Sequence, residues 1–407
     1  MAYLRFVLHN RQFLAFGVLM TMFSGFGQTF FIALFSAEIR AEFGLSHGGF
    51  GFVYSVATLT SAVCLIWIGR QIDQTGLRQY AVLVCIGLIA ATFALALAPT
   101  VIFLYLALFA LRLTGQGLMT HTAITGMVRS FSATRGTAVS IAHLGMPAAE
   151  AVFPILAVTA LAAVGWRQSW MLFGLILAVV LIPAVLWLLR DREHGSRQPH
   201  VAPGPAAPAG RDWSRREVLR DPRFYLVLPA ALASSFIITG MFFHQVHLAE
   251  TKGWSLVWLA TAFFAFSAAQ VLTSLVAGPL IDRVGATRLM PVVLLPLGIG
   301  LLLVALFDHP ATAFAYLIAA GISCGMVSTT VATMWAEMYG IGHLGAIRAL
   351  TTAFGVLASA LSPVLMGWLI DAGVSMEALA VMNLGYILAA TAMVPAAFRR
   401  PPAAVAG

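Results

Sequence analysis

Gly69-Arg70-Gln71-Ile72-Asp73-Gln74-Thr75-Gly76-Leu77-Arg78 is a charged loop between two long apolar runs, and it occurs twice. About 209 residues later the chain reads Gly278-Pro279-Leu280-Ile281-Asp282-Arg283-Val284-Gly285-Ala286-Thr287-Arg288. Both segments read G-x-x-x-D-x-x-G followed by Arg, with Arg288 one place later than Arg78. Shifting the first half of the chain by this offset lays apolar run on apolar run throughout. The spacing predicts two parallel halves related by a pseudo-twofold.

The runs themselves set the solvent. Of 407 residues, 60% are hydrophobic and 9% charged, against about 25% charged in a soluble domain. A soluble fold could not bury so much apolar surface, so lipid is the expected surroundings. A spanning helix needs about 20 apolar residues. Helices are expected over 13–36, 47–69, 79–98, 101–126, 136–162, 168–189, 224–248, 256–279, 288–307, 311–336, 346–370 and 377–397. The expected fold is all-α and polytopic, with about twelve transmembrane helices in two six-helix halves. Residues 1–190 form the first bundle and 224–407 the second. The stretch 191–223, with VAPGPAAPAG at its centre, is a flexible cytoplasmic linker; Arg215 to Arg223 suit a short interfacial helix on it. The first apolar run is too long for a signal peptide and has no small-residue cleavage site, so it reads as a retained helix.

Charge gives the orientation. Of the 23 basic residues, about 19 fall on the side shared by the N-terminus, linker and C-terminus; the other side has Arg40, Arg167 and Lys252. Basic loops mark the cytoplasmic face, so both termini are expected there. The net charge of +8 is spread over short loops, which excludes a nucleic-acid patch. Cys64, Cys85 and Cys324 lie in apolar runs and form no metal or disulfide framework. No G-x-S-x-G, P-loop or HExxH motif suggests an enzyme or direct use of ATP. The linker is too short for a sensor's output domain.

The two loop segments resemble the signature loops of the major facilitator superfamily, between its second and third and its eighth and ninth helices. The resemblance covers nearly the whole chain. It implies a secondary transporter of a small molecule in a bacterial inner membrane, without a cofactor, with a monomer as the expected form. It implies that Asp73, Arg78, Asp282 and Arg283 latch one conformation at the cytoplasmic face. The segment from Glu337 to Arg348 is similar to a loop of bacterial facilitators grouped with monocarboxylate carriers.

Two charges remain at mid-depth, Arg112 and Glu150. An ionisable group there is costly unless paired or hydrated, and it is a functional candidate by default. Both lie about 12 residues from the same end of adjacent antiparallel helices, so they are expected to pair or to face one water-filled cavity. Arg112 begins Arg-Leu-Thr-Gly-Gln-Gly, which resembles the fourth-helix motif of proton-coupled facilitators. A guanidinium fork suits carboxylates. The expected mechanism is competition: an organic anion displaces Glu150 from Arg112, and the freed carboxylate takes a proton. The competing reading is a static tie between two helices. Export of amphiphilic drugs is the alternative function.

Around this pair, Gln116 lies one turn from Arg112 and His143 seven residues before Glu150, where it either relays protons or packs. Gln28, Tyr54, Gln270 and Ser359 are expected to line the path, with Trp335 as a further contact. His121 reads as packing. His244, His247 and Glu250 have metal-like spacing, yet an interfacial polar rim is the expected role.

Overall fold

The computed structural model describes residues 2–131, 134–190, 213–340 and 342–399, and every regular element among them is helical. The chain divides into two compact units, Met1–Ala202 and Pro203–Gly407. Most of the expected linker, 191–212, lies outside the described residues, as does Arg400.

The first unit holds α1 (Ala2–His9), α2 (Arg11–Phe23), α3 (Thr29–Ile32), α4 (Ser36–Phe43), α5 (His47–Ile68), α6 (Leu77–Ala96), α7 (Val101–Leu111), α8 (Thr120–Ser130), α9 (Arg135–His143), α10 (Gly145–Val164), α11 (Trp166–Ile176) and α12 (Ile182–Leu188). The second holds α13 (Arg215–Val218), α14 (Pro222–Phe243), α15 (Gln245–Lys252), α16 (Leu256–Val284), α17 (Ala286–Leu289), α18 (Leu295–Leu306), α19 (Ala311–Tyr339), α20 (Leu344–Asp371) and α21 (Met376–Arg399).

Ten continuous helical stretches are long and apolar enough to span a bilayer, and one bent pair makes eleven. Helices suit this role because each satisfies its backbone internally. The expected run 288–307 is shorter: α18 has 12 residues, or about 18 Å at 1.5 Å each. Pro291 lacks the N–H a helix needs there, so α17 ends and a turn intervenes before α18. The expected helix 13–36 is also broken. After α2 comes a 3₁₀ turn, Ser24–Gly27, and then Gln28 in extended conformation (φ −90, ψ 153); the two limbs bend by 46°. Likewise 224–248 is interrupted at His244, between α14 and α15.

The internal repeat reaches the helix caps. Gly44 and Gly253 both take left-handed conformations, with φ of 63 and 66, to end α4 and α15. Ser46 and Ser255 then cap the next helices, accepting from Gly49 N at 3.0 Å and Trp258 N at 3.1 Å. Each pair stands about 209 residues apart, the offset of the loop motif.

Close helix packing comes from small residues, as expected where lipid gives no hydrophobic drive between helices. On α19, Gly321 and Gly325 press against the α16 backbone; a Cβ on Gly325 would stand 3.0 Å from Ser274 N. In the first unit, a Cβ on Gly115 would meet Gly27 Cα at 2.7 Å. The short helix α13 opens on a full capping box between Ser214 and Glu217. Trp213 N just before it donates to Tyr339 O at 3.1 Å, so this last part of the expected linker packs within the second unit.

Candidate functional site

At the middle of the first unit, the backbones of Gly27 and Gly115 touch. With no side chain between them, the Gly27 carbonyl lies within reach of Arg112. Arg112 opens a π-helical segment, Arg112–Met119, that joins α7 to α8; such segments are frequent at functional sites. Its Nη1 donates to Gly27 O at 2.9 Å, and its Nε donates to Thr58 Oγ1 at 3.1 Å. The guanidinium lies over the Tyr54 ring, 5.1 Å from the centroid. Tyr54 is fully buried, and its hydroxyl shares a 2.8 Å hydrogen bond with Thr29 Oγ1, just beyond the break. Arg112 therefore ties α5 and the broken first helix to the π segment while only 2% exposed.

The expected Arg112–Glu150 ion pair is absent: the guanidinium is taken up by Gly27, Thr58 and Tyr54. Glu150 is half-buried on α10, and its Oε2 is buried with no hydrogen-bond partner. Sequence depth alone put the two carboxyl and guanidinium groups together. It carried no sign of the break at Gln28, which brings a carbonyl to Arg112 instead.

The other candidates divide. Gln116 is half-buried in the π segment, and Gln28 is half-buried at the break. His143 is exposed at the end of α9, unlike Glu150. In the second unit, Gln270 Oε1 and Ser267 Oγ on α16 are buried without partners. Ser359 is half-buried and donates to Val356 O at 2.9 Å. Trp335 is buried in an aromatic group, stacked on Tyr339 at 6.1 Å and tilted against Phe224 at 5.4 Å. His244 is buried and shares a 3.0 Å hydrogen bond with Pro363 O, whereas His247 faces Glu250 at 3.8 Å. Among the described residues, no group of three metal-binding side chains converges.

The signature loops are fastened in two different ways. In the first unit Asp73 pairs with Arg129 at the end of α8, and Arg129 Nη1 also donates to Ile72 O at 3.1 Å. Just over two helical turns before it, His121 Nε2 meets Gly69 O at 3.1 Å. The loop is thus held by α8; Arg129 and His121 were not singled out as its partners by the motif. The Asp73 and Arg129 side chains are 59% and 49% exposed, so their pair contributes about 0–1 kcal/mol and opens easily. In the second unit Gly285 turns the loop with φ of 89, and Glu337 on α19 accepts from Ala286 N at 2.8 Å and Thr287 N at 3.0 Å. Asp282 and Arg283 are exposed. Arg78 lines a cleft of about 430 Å³ with Gly76, Gln79, Leu83 and Leu186.

A family model, Major Facilitator Superfamily, matches residues 17–268 and 245–407. The chain belongs to the Major Facilitator Superfamily. It is a multi-pass membrane transporter. Among solved structures, it is similar to a bacterial homologue of the human lysosomal transporter Spinster in an inward-facing, occupied conformation. There the TM-score is 0.72 at 17% identity, covering 95% of this chain and 96% of that one. The nucleoside transporter NupG gives a TM-score of 0.69 at 12% identity, covering 96% and 99%. At these identities the likeness is one of fold. No curated protein matches the sequence. Within the first unit of this facilitator, Arg112 is a buried cation fastened at the break in the first helix.

Proposed function

We propose that this facilitator carries a small organic anion together with a proton. The observation behind the reading is Arg112, a guanidinium that is 2% exposed and contacts only a carbonyl, a hydroxyl and an aromatic ring. A buried cation without a counter-charge costs several kcal/mol. A carboxylate substrate supplies that charge, and the planar fork binds it in bidentate fashion. In this scheme the substrate competes with Gly27 O and Thr58 for the guanidinium, rather than with Glu150. Releasing Gly27 O frees the break in the first helix, which links binding to movement of that helix.

Glu150 is the coupling site in the scheme. Its Oε2 is buried without a partner, and a bound proton removes the charge at that depth. Gln28, Gln116, Tyr54 and His143 in the first unit, and Gln270 and Ser359 in the second, are the polar groups we assign to the path. The loops at Asp73–Arg78 and Asp282–Arg283 act as latches. From the bias of basic residues we assign these loops and both termini to the cytoplasmic side of a bacterial inner membrane, with bundles at 1–190 and 224–407, a linker at 191–223, and a monomer as the working form.

The test is thermal stabilisation of the purified protein by mono- and dicarboxylates and by lipophilic cations, at acid and neutral pH, beside Arg112→Gln and Glu150→Gln. Carboxylate-specific stabilisation that Arg112→Gln removes supports anion carriage. A stronger effect at acid pH that Glu150→Gln removes supports proton coupling. Stabilisation by cations, or by carboxylates equally in wild type and Arg112→Gln, refutes the scheme.

A further inference from the structure

Few charges face the end of each unit opposite the signature loops, and two of the three cations the sequence leaves there sit in matching clusters. In the first unit, Arg167 at the start of α11 donates to Glu42 Oε1 from Nε at 2.9 Å and from Nη2 at 2.5 Å. It also donates to Ala96 O at 2.5 Å and Ala98 O at 2.7 Å, at the end of α6. Trp166 Nε1 adds a 2.8 Å bond to Glu42 Oε2, and the guanidinium lies 4.5 Å from the Trp166 ring centroid. One cluster thus joins the end of α4, the end of α6 and the start of α11.

The second unit builds the same cluster with the signs exchanged. Lys252, at the end of α15, bonds Asp308 Oδ1 at 2.5 Å and Glu377 Oε1 at 2.8 Å. Asp308 follows α18, and Glu377 begins α21. Trp254 Nε1 donates to Asp308 O at 2.7 Å. Lys252 and Glu377 lie within one residue of the repeat positions of Glu42 and Arg167. The first helix of the pair brings the acid in one unit and the base in the other. The Lys252 side chain is 1% exposed, so its ammonium depends on these two carboxylates.

Each cluster lies at the far end of a limb that begins at a break. The limb from Thr29 to Phe43 runs from the bend at Gln28 to Glu42; α15 runs from the interruption at His244 to Lys252. We propose that Arg167 and Lys252 are positioning residues for transport, each clasp pinning the limb beyond the break to two helices of its own unit, α6 and α11 in the first and α18 and α21 in the second, so that the other limb, α2 or α14, turns at the break. The clasp is ionic and its polarity is interchangeable. The transporter thereby gains a fixed limb and a movable limb on either side of the break in each unit.

Hydrogen exchange of the full chain in detergent micelles tests this without a substrate. Lys252→Met is expected to speed exchange of the amides of 245–252 and of the start of α21 by about tenfold, with 222–243 unchanged. Glu42→Gln is expected to do the same to 36–43 and not to 11–23. Lys252→Glu with Asp308→Asn and Glu377→Arg writes the first unit's polarity into the second, and it restores the protection. An unchanged limb beyond the break, or equal loss of protection on both sides of it, overturns the proposal. So does a triple variant as loose as Lys252→Met. If Lys252→Met fails to fold, Glu42→Gln alone decides between these outcomes for the first unit.

Discussion

Gly27→Ala is the sharpest probe of the Arg112 site. A Cβ at this position would overlap the Leu111 carbonyl oxygen and stand 2.6 Å from Gln116 N and 2.8 Å from Gly115 Cα. All three are backbone, so no flexible side chain can swing aside; the first helix and the π segment must separate. Overpacking of this kind costs about 1–3 kcal/mol. Separation also stretches the Arg112–Gly27 bond of 2.9 Å, and a hydrogen bond to a charged group contributes about 1.5–3 kcal/mol. The gain from removing a glycine's freedom, about 0.4–1 kcal/mol, does not offset this. The expected loss is about 2–5 kcal/mol, measured by denaturant unfolding in micelles. Gly278→Ala is the control: it lies inside α16, and nothing stands within 4 Å of its Cβ. There helix propensity predicts a gain of up to about 1 kcal/mol. Equal stability for the two variants would refute the argument that backbone contact at Gly27 places the carbonyl on Arg112.

Arg129→Gln removes the partner of an exposed Asp73, so unfolding stability should change by less than about 1 kcal/mol. Thiol accessibility of residues introduced in the loop 69–78 should rise several-fold; an unchanged labelling rate would mean the pair latches nothing. Glu337→Gln loses the charge on two bonds to the backbone N–H groups of Ala286 and Thr287, at an expected cost of about 1–2 kcal/mol in unfolding. Burial works against the Lys252 ammonium, but its bonds to Asp308 and Glu377 outweigh this and hold its pKa above the ordinary value. The clasp's contribution is therefore fully present below about pH 10.4 and is lost as pH rises through the elevated folded value. Melting of wild type and Lys252→Met should differ at neutral pH and converge above that value; a constant difference across the range would show that the ammonium charge is not what stabilises.

Much of this was readable in the sequence because it depends on period and repetition. Apolar runs of spanning length and a loop repeated at a fixed offset dictate two similar halves, and the caps at Gly44, Ser46, Gly253 and Ser255 follow the same offset. What was not readable depends on local backbone departures. Ser24-Gly25-Phe26-Gly27 is apolar enough to pass as helix, and only the contact with Gly115 shows why it breaks. That departure moved Arg112 from Glu150 to Gly27 O. Likewise Asp73 announced itself through the motif, but Arg129 sits 56 residues away on a helix whose register the motif does not fix. In the run 288–307 hydropathy suits a span, but Pro291 lacks the N–H that a continuous helix needs there.

Duplication alone predicts like residues at like positions, and at the caps that is what stands. Where the chain does chemistry the halves diverge. Arg112 has Gly321 at its repeat position, and there α19 instead closes on the α16 backbone. Thr58, which accepts from Arg112, has Ser267 as its counterpart, with an Oγ left buried and unpartnered. A charge at mid-depth is expensive, so keeping one guanidinium rather than two limits that cost; under the proposed function that one is the anchor for the anion. The second unit keeps the hydroxyl without the cation. If Arg112 serves the substrate, Gly321→Arg should not create a second anchor: α16 and α19 leave it no room, and the variant should fail to fold. Ser267→Ala, by contrast, removes an unsatisfied buried hydroxyl and should leave stability unchanged or slightly raised. A clear loss of stability in Ser267→Ala would mean that this hydroxyl has a structural partner, and the division of labour between the halves would have to be redrawn.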